Sequence, residues 1–183
     1  MRLRMLVFAL VIGVAALCAA PVRSASPTPV PDVKPDLSAM AMFLGTWSCT
    51  SVKSPDGRTN GHVFTTTTSL ALDGRWTQTD QSTPPFDQYR TRDFVLKSWQ
   101  TYDAATKMWV TMTVDNLGGY SVAMSPGWNG DTLVTSDKIQ ANGSPLGVDT
   151  VTKLSDTHYH DRYEVKTAKG TQTFESDCTK GDS

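Results

Sequence analysis

The chain has 183 residues, 17 of them Lys or Arg and 18 Asp or Glu, with 39% hydrophobic residues and three cysteines. A net charge of −1 without any basic run excludes the electrostatic footprint of a nucleic-acid-binding protein. The length suits one domain with one core, and no fixed-period repeat interrupts it.

Arg2 and Arg4 precede an apolar run, Leu6 to Ala20, that is short for a membrane span. This is the pattern of a secretory signal peptide covering residues 1–24, with Val22 and Ser24 at the specificity positions. Cutting after Ala25 is the alternative, and the bulky Leu17 argues against lipidation at Cys18. Cleavage after Ser24 removes three of the 17 basic residues (Arg2, Arg4 and Arg23) and no acidic one, leaving 14 against 18, a net charge of −4. The mature chain then has no membrane span, and export places it in the periplasm or outside the cell. Residues 25–35 are rich in Pro and Ser and read as a linker. Residues 36–183 form the domain.

Asp36 and Ser38 are candidate N-caps for a short apolar helix over Ala39 to Leu44, stopped by Gly45. Beyond it no long helical period appears. Thr, Val, Trp and Tyr recur between turn signals about every ten to fifteen residues, which is the pattern of an all-β meander. Strands are expected near 46–54, 61–72, 75–81, 92–102, 108–114, 120–124, 132–139, 148–154, 158–166 and 171–180. About ten antiparallel up-and-down strands should close into a barrel, since closure removes both exposed edges. An open or flattened two-sheet sandwich is the alternative.

The last hairpin sets a register. With Lys166 opposite Thr171, Arg162 opposes Glu175 and His160 opposes Asp177, outward charge pairs of about 0.2–1 kcal/mol each. Tyr163 then opposes Phe174 and Tyr159 opposes Cys178 on the inward face. Loss of Cys18 with the signal leaves Cys49 and Cys178, an even pair that reads as a disulfide in an exported chain. Placing Cys49 opposite Cys178 sets Trp47 beside Lys180, so the first strand meets the last.

Gly45-Thr46-Trp47 after a short helix resembles the Gly-x-Trp entry of lipocalins and related calycin-type barrels. The resemblance implies that Trp47 seals the closed end and that Lys180 stacks on it, where the family usually has Arg. About ten strands is closer to the fatty-acid-binding proteins and nitrobindins than to the eight of true lipocalins. Tyr102 to Trp109 and Ser125 to Asp131 are similar to segments of exported bacterial lipocalin-like proteins. This resemblance spans most of residues 40–180 and implies a fold without an activity.

His158 and His160 could begin a metal site with Asp177, but the register turns them to solvent, and no metal is expected. A nitrobindin-like haem would need an inward axial His, which the register does not supply, so no cofactor is expected. Asp161 shares the inward face with Tyr159 and Tyr163 and needs a partner, a water or a ligand. Phe64, Thr66 and Thr68 should line the interior if Trp47 and Cys49 point inward, and a Thr-bearing wall implies a cavity that is not purely greasy. Trp99, Trp109 and Trp128 either line a pocket or fill the core. The candidate ligand residues are therefore Asp161, Tyr159, Tyr163, Phe64, Thr66, Thr68 and Trp99.

No nucleophile elbow, His-Glu-x-x-His helix or phosphate loop is present. The expectation is an exported, non-enzymatic protein holding a small, mostly apolar molecule inside a disulfide-closed barrel. The alternatives are a packed barrel with a functional outer face, or an enzyme with a site near Asp161.

Overall fold

A computed structural model describes residues 33–85 and 91–181, the side chain of Asn142 apart. The expected signal peptide and most of the linker lie outside the described residues.

The apolar run before Gly45 forms a 3₁₀ helix, Ser38–Phe43, rather than an α-helix. Six residues are too few for cooperative α-helix formation, and tighter turns suffice: Met40 N–H donates to Leu37 O and Leu44 N–H to Ala41 O. Asp36 does not cap it as expected. Its Oδ1 accepts from Ser38 N–H at 2.9 Å, which holds its carboxyl below the ordinary value, while Leu37 occupies the capping position.

Eleven strands follow: β1 (Gly45–Lys53), β2 (Val63–Ala71), β3 (Trp76–Thr83), β4 (Phe94–Asp103), β5 (Met108–Asp115), β6 (Tyr120–Ser125), β7 (Trp128–Asn129), β8 (Thr132–Gln140), β9 (Gly147–Ser155), β10 (His158–Thr167) and β11 (Gly170–Lys180). Sequential antiparallel pairs run from β1 to β6 and from β8 to β11, β6 pairs with β8, and β1 pairs with β11. Ten strands thus close a barrel, and β7 is a two-residue addition to β8.

The expected register holds across the seam. Trp47 opposes Lys180, Cys49 opposes Cys178, Tyr159 opposes Cys178, and Tyr163 opposes Phe174. Cys49 and Cys178 are disulfide-bonded, with Cα atoms 4.0 Å apart, as directly opposed cross-strand neighbours of β1 and β11. Both cysteines are 1% exposed, so the bond lies in the core and not at the surface.

One end of the barrel is plugged. Trp47 is 1% exposed, and its indole N–H donates to Phe43 O at 3.1 Å. Trp128 donates to Ala39 O at 2.8 Å, so two indoles hold the 3₁₀ helix across the opening. Lys180 Nζ lies 5.5 Å from the Trp47 ring centroid, the cation–π stacking expected of it. Gly45 has φ +101°, and a Cβ there would meet Lys180 Cε at 3.3 Å, so both the backbone and the space favour glycine. Leu37, Met40, Trp109 and Leu133 complete the buried cluster at this end.

Three bulges adjust the pleat. Val52 is extra in β1, Lys138 in β8 and Leu154 in β9. Each transfers the alternation of the residues beyond it to the opposite face.

Candidate functional site

Above the plug the barrel is hollow. A cavity of about 210 Å³ has an apolar floor of Met40, Phe43, Trp47, Leu133, Val151 and Tyr159. Its walls are polar, with Thr66 and Thr68 from β2, Thr77 and Thr79 from β3, Ser98 and Gln100 from β4, and Thr111 from β5. These positions face inward because their strands pair in unbroken alternation: Trp47 opposes Thr66, Thr66 opposes Gln81, Thr77 opposes Gln100, and Gln100 opposes Thr111. Some hydroxyls satisfy one another, as in the 2.9 Å bond between Thr68 and Thr79.

The opposite wall, from β8 to β10, carries carboxyls. Asp149 lines the cavity. It opposes Tyr163 across β9 and β10, and Asp161, one step nearer the plug, opposes Val151. Asp149 and Asp161 are therefore diagonal neighbours on the inner face, and their side chains hydrogen-bond to each other. Burial raises both carboxyls above the ordinary value. Repulsion from Asp161 and the bond between the two raise Asp149 further, the direction expected of two buried carboxyls that share a proton. Oδ1 of each residue is sealed from solvent and meets no N–H or other O–H donor among the described residues.

A second network sits toward the other mouth. Asp137 Oδ2 accepts from Tyr163 Oη at 2.8 Å, Gln140 Nε2 at 2.7 Å and Gly147 N–H at 2.9 Å. The bulge at Lys138 makes this possible, because it lets Asp137 and Gln140 both point inward opposite Ala123 and Ser121. Gly147 supplies the space: a Cβ there would lie 2.2 Å from the Tyr163 ring. Burial, and then the bond to Asp137, raises the Tyr163 phenol above its ordinary value. Tyr163 lines a hollow of about 470 Å³ at that mouth, whereas its cross-strand partner Asp149 lines the inner cavity.

Tyr159 joins the carboxyl wall to the plug. Its ring centroid is 4.7 Å from that of Trp47 and 5.6 Å from that of Phe43. Its hydroxyl lies 3.7 Å from Cys49 Sγ and bonds the Thr66 side chain. Burial, followed by the negative charge of Asp161, raises its pKa above the ordinary phenol value.

Of the residues singled out in the sequence, Tyr159, Thr66 and Thr68 line the cavity, Asp161 stands behind Asp149, and Tyr163 lines the outer hollow. Phe64 points inward and packs on the core cluster beneath the seam. Trp99 does not join them. It opposes Gln78 and Met112 on the outer face, and its indole N–H donates to Gln78 Oε1 at 3.3 Å. The alternation of β4 sends Ser98 and Gln100 inward and leaves position 99 outside. His160 faces outward as expected, with Nδ1 2.8 Å from Asp177 Oδ1.

Asp149 and Asp137 were not among the expected site residues. Continuing the last-hairpin register through the 155–158 turn without a bulge pairs Asp161 with Thr152 and turns Asp149 outward. The extra residue Leu154 reverses that.

The protonated carboxyl has a consequence for stability. Because the folded pKa of Asp149 lies well above 3.8, its contribution is fully present below that value and is lost as pH rises through the raised pKa. The carboxylates with lowered pKa values, Asp36, Asp80, Asp103, Asp156 and Glu175, lose their contribution only as pH falls below their ordinary values of 3.8 and 4.5. The wild-type melting temperature should therefore fall over the pH range above 3.8 in which Asp149 loses its proton, and Asp149→Asn should remove most of that fall. Thermal melts of both proteins across this range check it, and parallel curves would refute a protonated Asp149.

The closed antiparallel barrel of ten strands is consistent with a calycin-like architecture. Neither a protein-family model nor a curated protein matches the chain.

Proposed function

We propose that this chain is an exported binding protein that holds a small molecule in the cavity above the Trp47 plug. The observation that carries the reading is the hollow itself, with an aromatic floor below a wall of threonine, serine and glutamine. At about 210 Å³ it is smaller than the roughly 300–1,000 Å³ of drug-sized pockets, so its ligand is correspondingly small. The wall shifts the expectation from a mostly apolar ligand to one with an apolar face and several hydrogen-bonding groups. The resemblance to lipocalin-like proteins supports the same reading.

Export is supported by the signal-like N-terminus and by the disulfide, a bond that persists in oxidising compartments. Periplasmic or extracellular residence follows from that proposal. Binding is favoured over catalysis because the acid and base of the carboxyl wall engage each other, and only Asp149 lines the cavity. A general base must reach the proton that it removes.

Native mass spectrometry of the protein purified from its own envelope or culture fluid tests this. The expected result is an added small-molecule mass that is released on denaturation. A bare mass, together with no binder from a library of small polar organics, overturns the reading.

A second reading is favoured by the outer face. Trp99, Met112, Val122 and Ile139 form one cross-strand row over β4, β5, β6 and β8, with Val114 and Tyr120 beside it. Met112 is 41% and Ile139 50% exposed, an arrangement suited to a protein interface. The double variant Met112→Lys, Ile139→Lys should abolish any concentration-dependent rise in mass in sedimentation velocity. Unchanged sedimentation would remove this reading.

A further inference from the structure

The carboxyl wall narrows the class of ligand. Asp137, Asp149 and Asp161 converge on one side of the interior, and the negative charge of Asp137 acts on Asp149. Facing them across the cavity, β2 to β5 present Thr66, Thr79, Ser98, Gln100 and Thr111, none of which carries a charge. Asp115 lies at the other mouth. The titratable groups packed against the pair are Tyr159 and Tyr163 from β10 and Asp137 from β8, with His160 beside Asp161 on the outer face.

Cations near the ends of the inward rows are engaged elsewhere. Lys153 pairs with Asp156 at 2.7 Å, Lys180 covers Trp47, Lys53 pairs with Glu175 at 2.9 Å, and His62 bonds the Pro84 carbonyl. Among the described residues the interior therefore holds buried acidic groups without an internal counter-cation. A buried charge of this kind is costly unless something pairs with it. Asp149 and Asp161 each keep an oxygen that is sealed from solvent and served by no N–H donor, and Asp149 borders the empty space. No three His, Cys, Asp or Glu side chains among the described residues are placed to hold one metal ion. The floor beside the carboxyls is built of Phe43, Trp47 and Tyr159, whose ring faces favour a cation and accept an apolar group.

We propose that the cavity takes a small organic cation, an amine whose ammonium group is met by the Asp149–Asp161 pair while its carbon frame lies on the aromatic floor. The proposal rests on the small-molecule reading above and gives that ligand its charge. In the empty protein the two carboxyls share one proton. When the ammonium enters, that proton leaves to solvent and the Asp149 carboxylate meets the cation with the Asp161 carboxylate behind it, so one cation binds and one proton is released. Binding strengthens as pH rises, because the proton and the ammonium compete for the same oxygens.

The test compares benzylamine with benzyl alcohol, which share a ring and a similar size and differ in charge. Titration calorimetry near pH 7 on the wild type should show the amine binding at least about tenfold more tightly than the alcohol, by analogy with the strength of charge-assisted bonds. Repeating the amine titration in two buffers of different ionisation heat should show net proton release on amine binding. Asp149→Asn and Asp161→Asn should each abolish the preference for the amine, so that amine and alcohol bind the same variant about equally. The proton count on the wild type stands even where a variant fails to fold. Equal binding of both probes without proton release overturns the charge assignment and leaves the cavity reading intact. Binding of neither probe overturns both.

Discussion

Replacing Cys49 and Cys178 together by alanine lowers the melting temperature by roughly 10–15 °C and leaves the barrel folded at room temperature. The bond spans a sequence separation of 129 residues. In the loop-entropy model a cross-link of that length contributes about 4–5 kcal/mol, and each kcal/mol moves a domain of this size by about 2–4 °C. The bond joins the first strand to the last, so its loss frees the seam and not merely a local loop. Alanine at both positions avoids leaving a free thiol in a site that is 1% exposed. Thermal melts of oxidised wild type and double variant, with circular dichroism to confirm the retained sheet, decide it. Coincident melts would mean that the main-chain ladder between β1 and β11 holds the seam without help.

Trp47→Ala should cost a comparable amount, about 3–5 kcal/mol, because it removes the largest fully buried side chain. Three contacts go with it: the bond to Phe43 O, the packing on Tyr159, and the surface under Lys180. The 3₁₀ helix loses one of its two indole tethers and keeps the Trp128 bond to Ala39 O. The variant should therefore melt about 6–15 °C lower and admit water to the cavity floor. Trp47→Phe keeps the ring without the N–H and should fall between. Denaturant titration of the three proteins measures this. A Trp47→Ala loss below about 1 kcal/mol would mean that the plug is held by the helix alone.

The two effects differ in origin. The disulfide acts largely on the unfolded chain, by limiting its conformations, whereas Trp47 acts in the folded state, by filling space. Combining the changes tests whether they are coupled. Cys49 and Trp47 lie on the same inward row of β1, two residues apart, so departure from additivity is expected.

The barrel was legible in the sequence because period-two alternation and turn residues are local signals. The charge pairs Arg162–Glu175 and His160–Asp177, and the aromatic pair Tyr163–Phe174, agree on one register for the last hairpin. That register carried through to Cys49 and Trp47 because the ladder is unbroken there. The expected residues Tyr159, Asp161 and Tyr163 came from this part of the chain, and they do share the carboxyl wall. Trp99 lies outside the cavity because aromatic size carries no register, and only strand pairing decides the face of position 99. Position 99 falls between the inward Ser98 and Gln100.

The chain alone determined an all-β meander of about ten strands, the closing cysteine pair, the Trp47–Lys180 contact and an inward Asp161. Each rests on alternation or on a pairing that propagates residue by residue. The tertiary structure decided which acidic groups converge, because bulges at Lys138 and Leu154 reverse the faces of Asp137 and Asp149. A bulge adds one residue and leaves the local composition unchanged, so strand pattern does not reveal it. Closure brings β6 against β8 in the register that turns Asp137 inward, and the bulged pairing of β9 with β10 turns Asp149 inward.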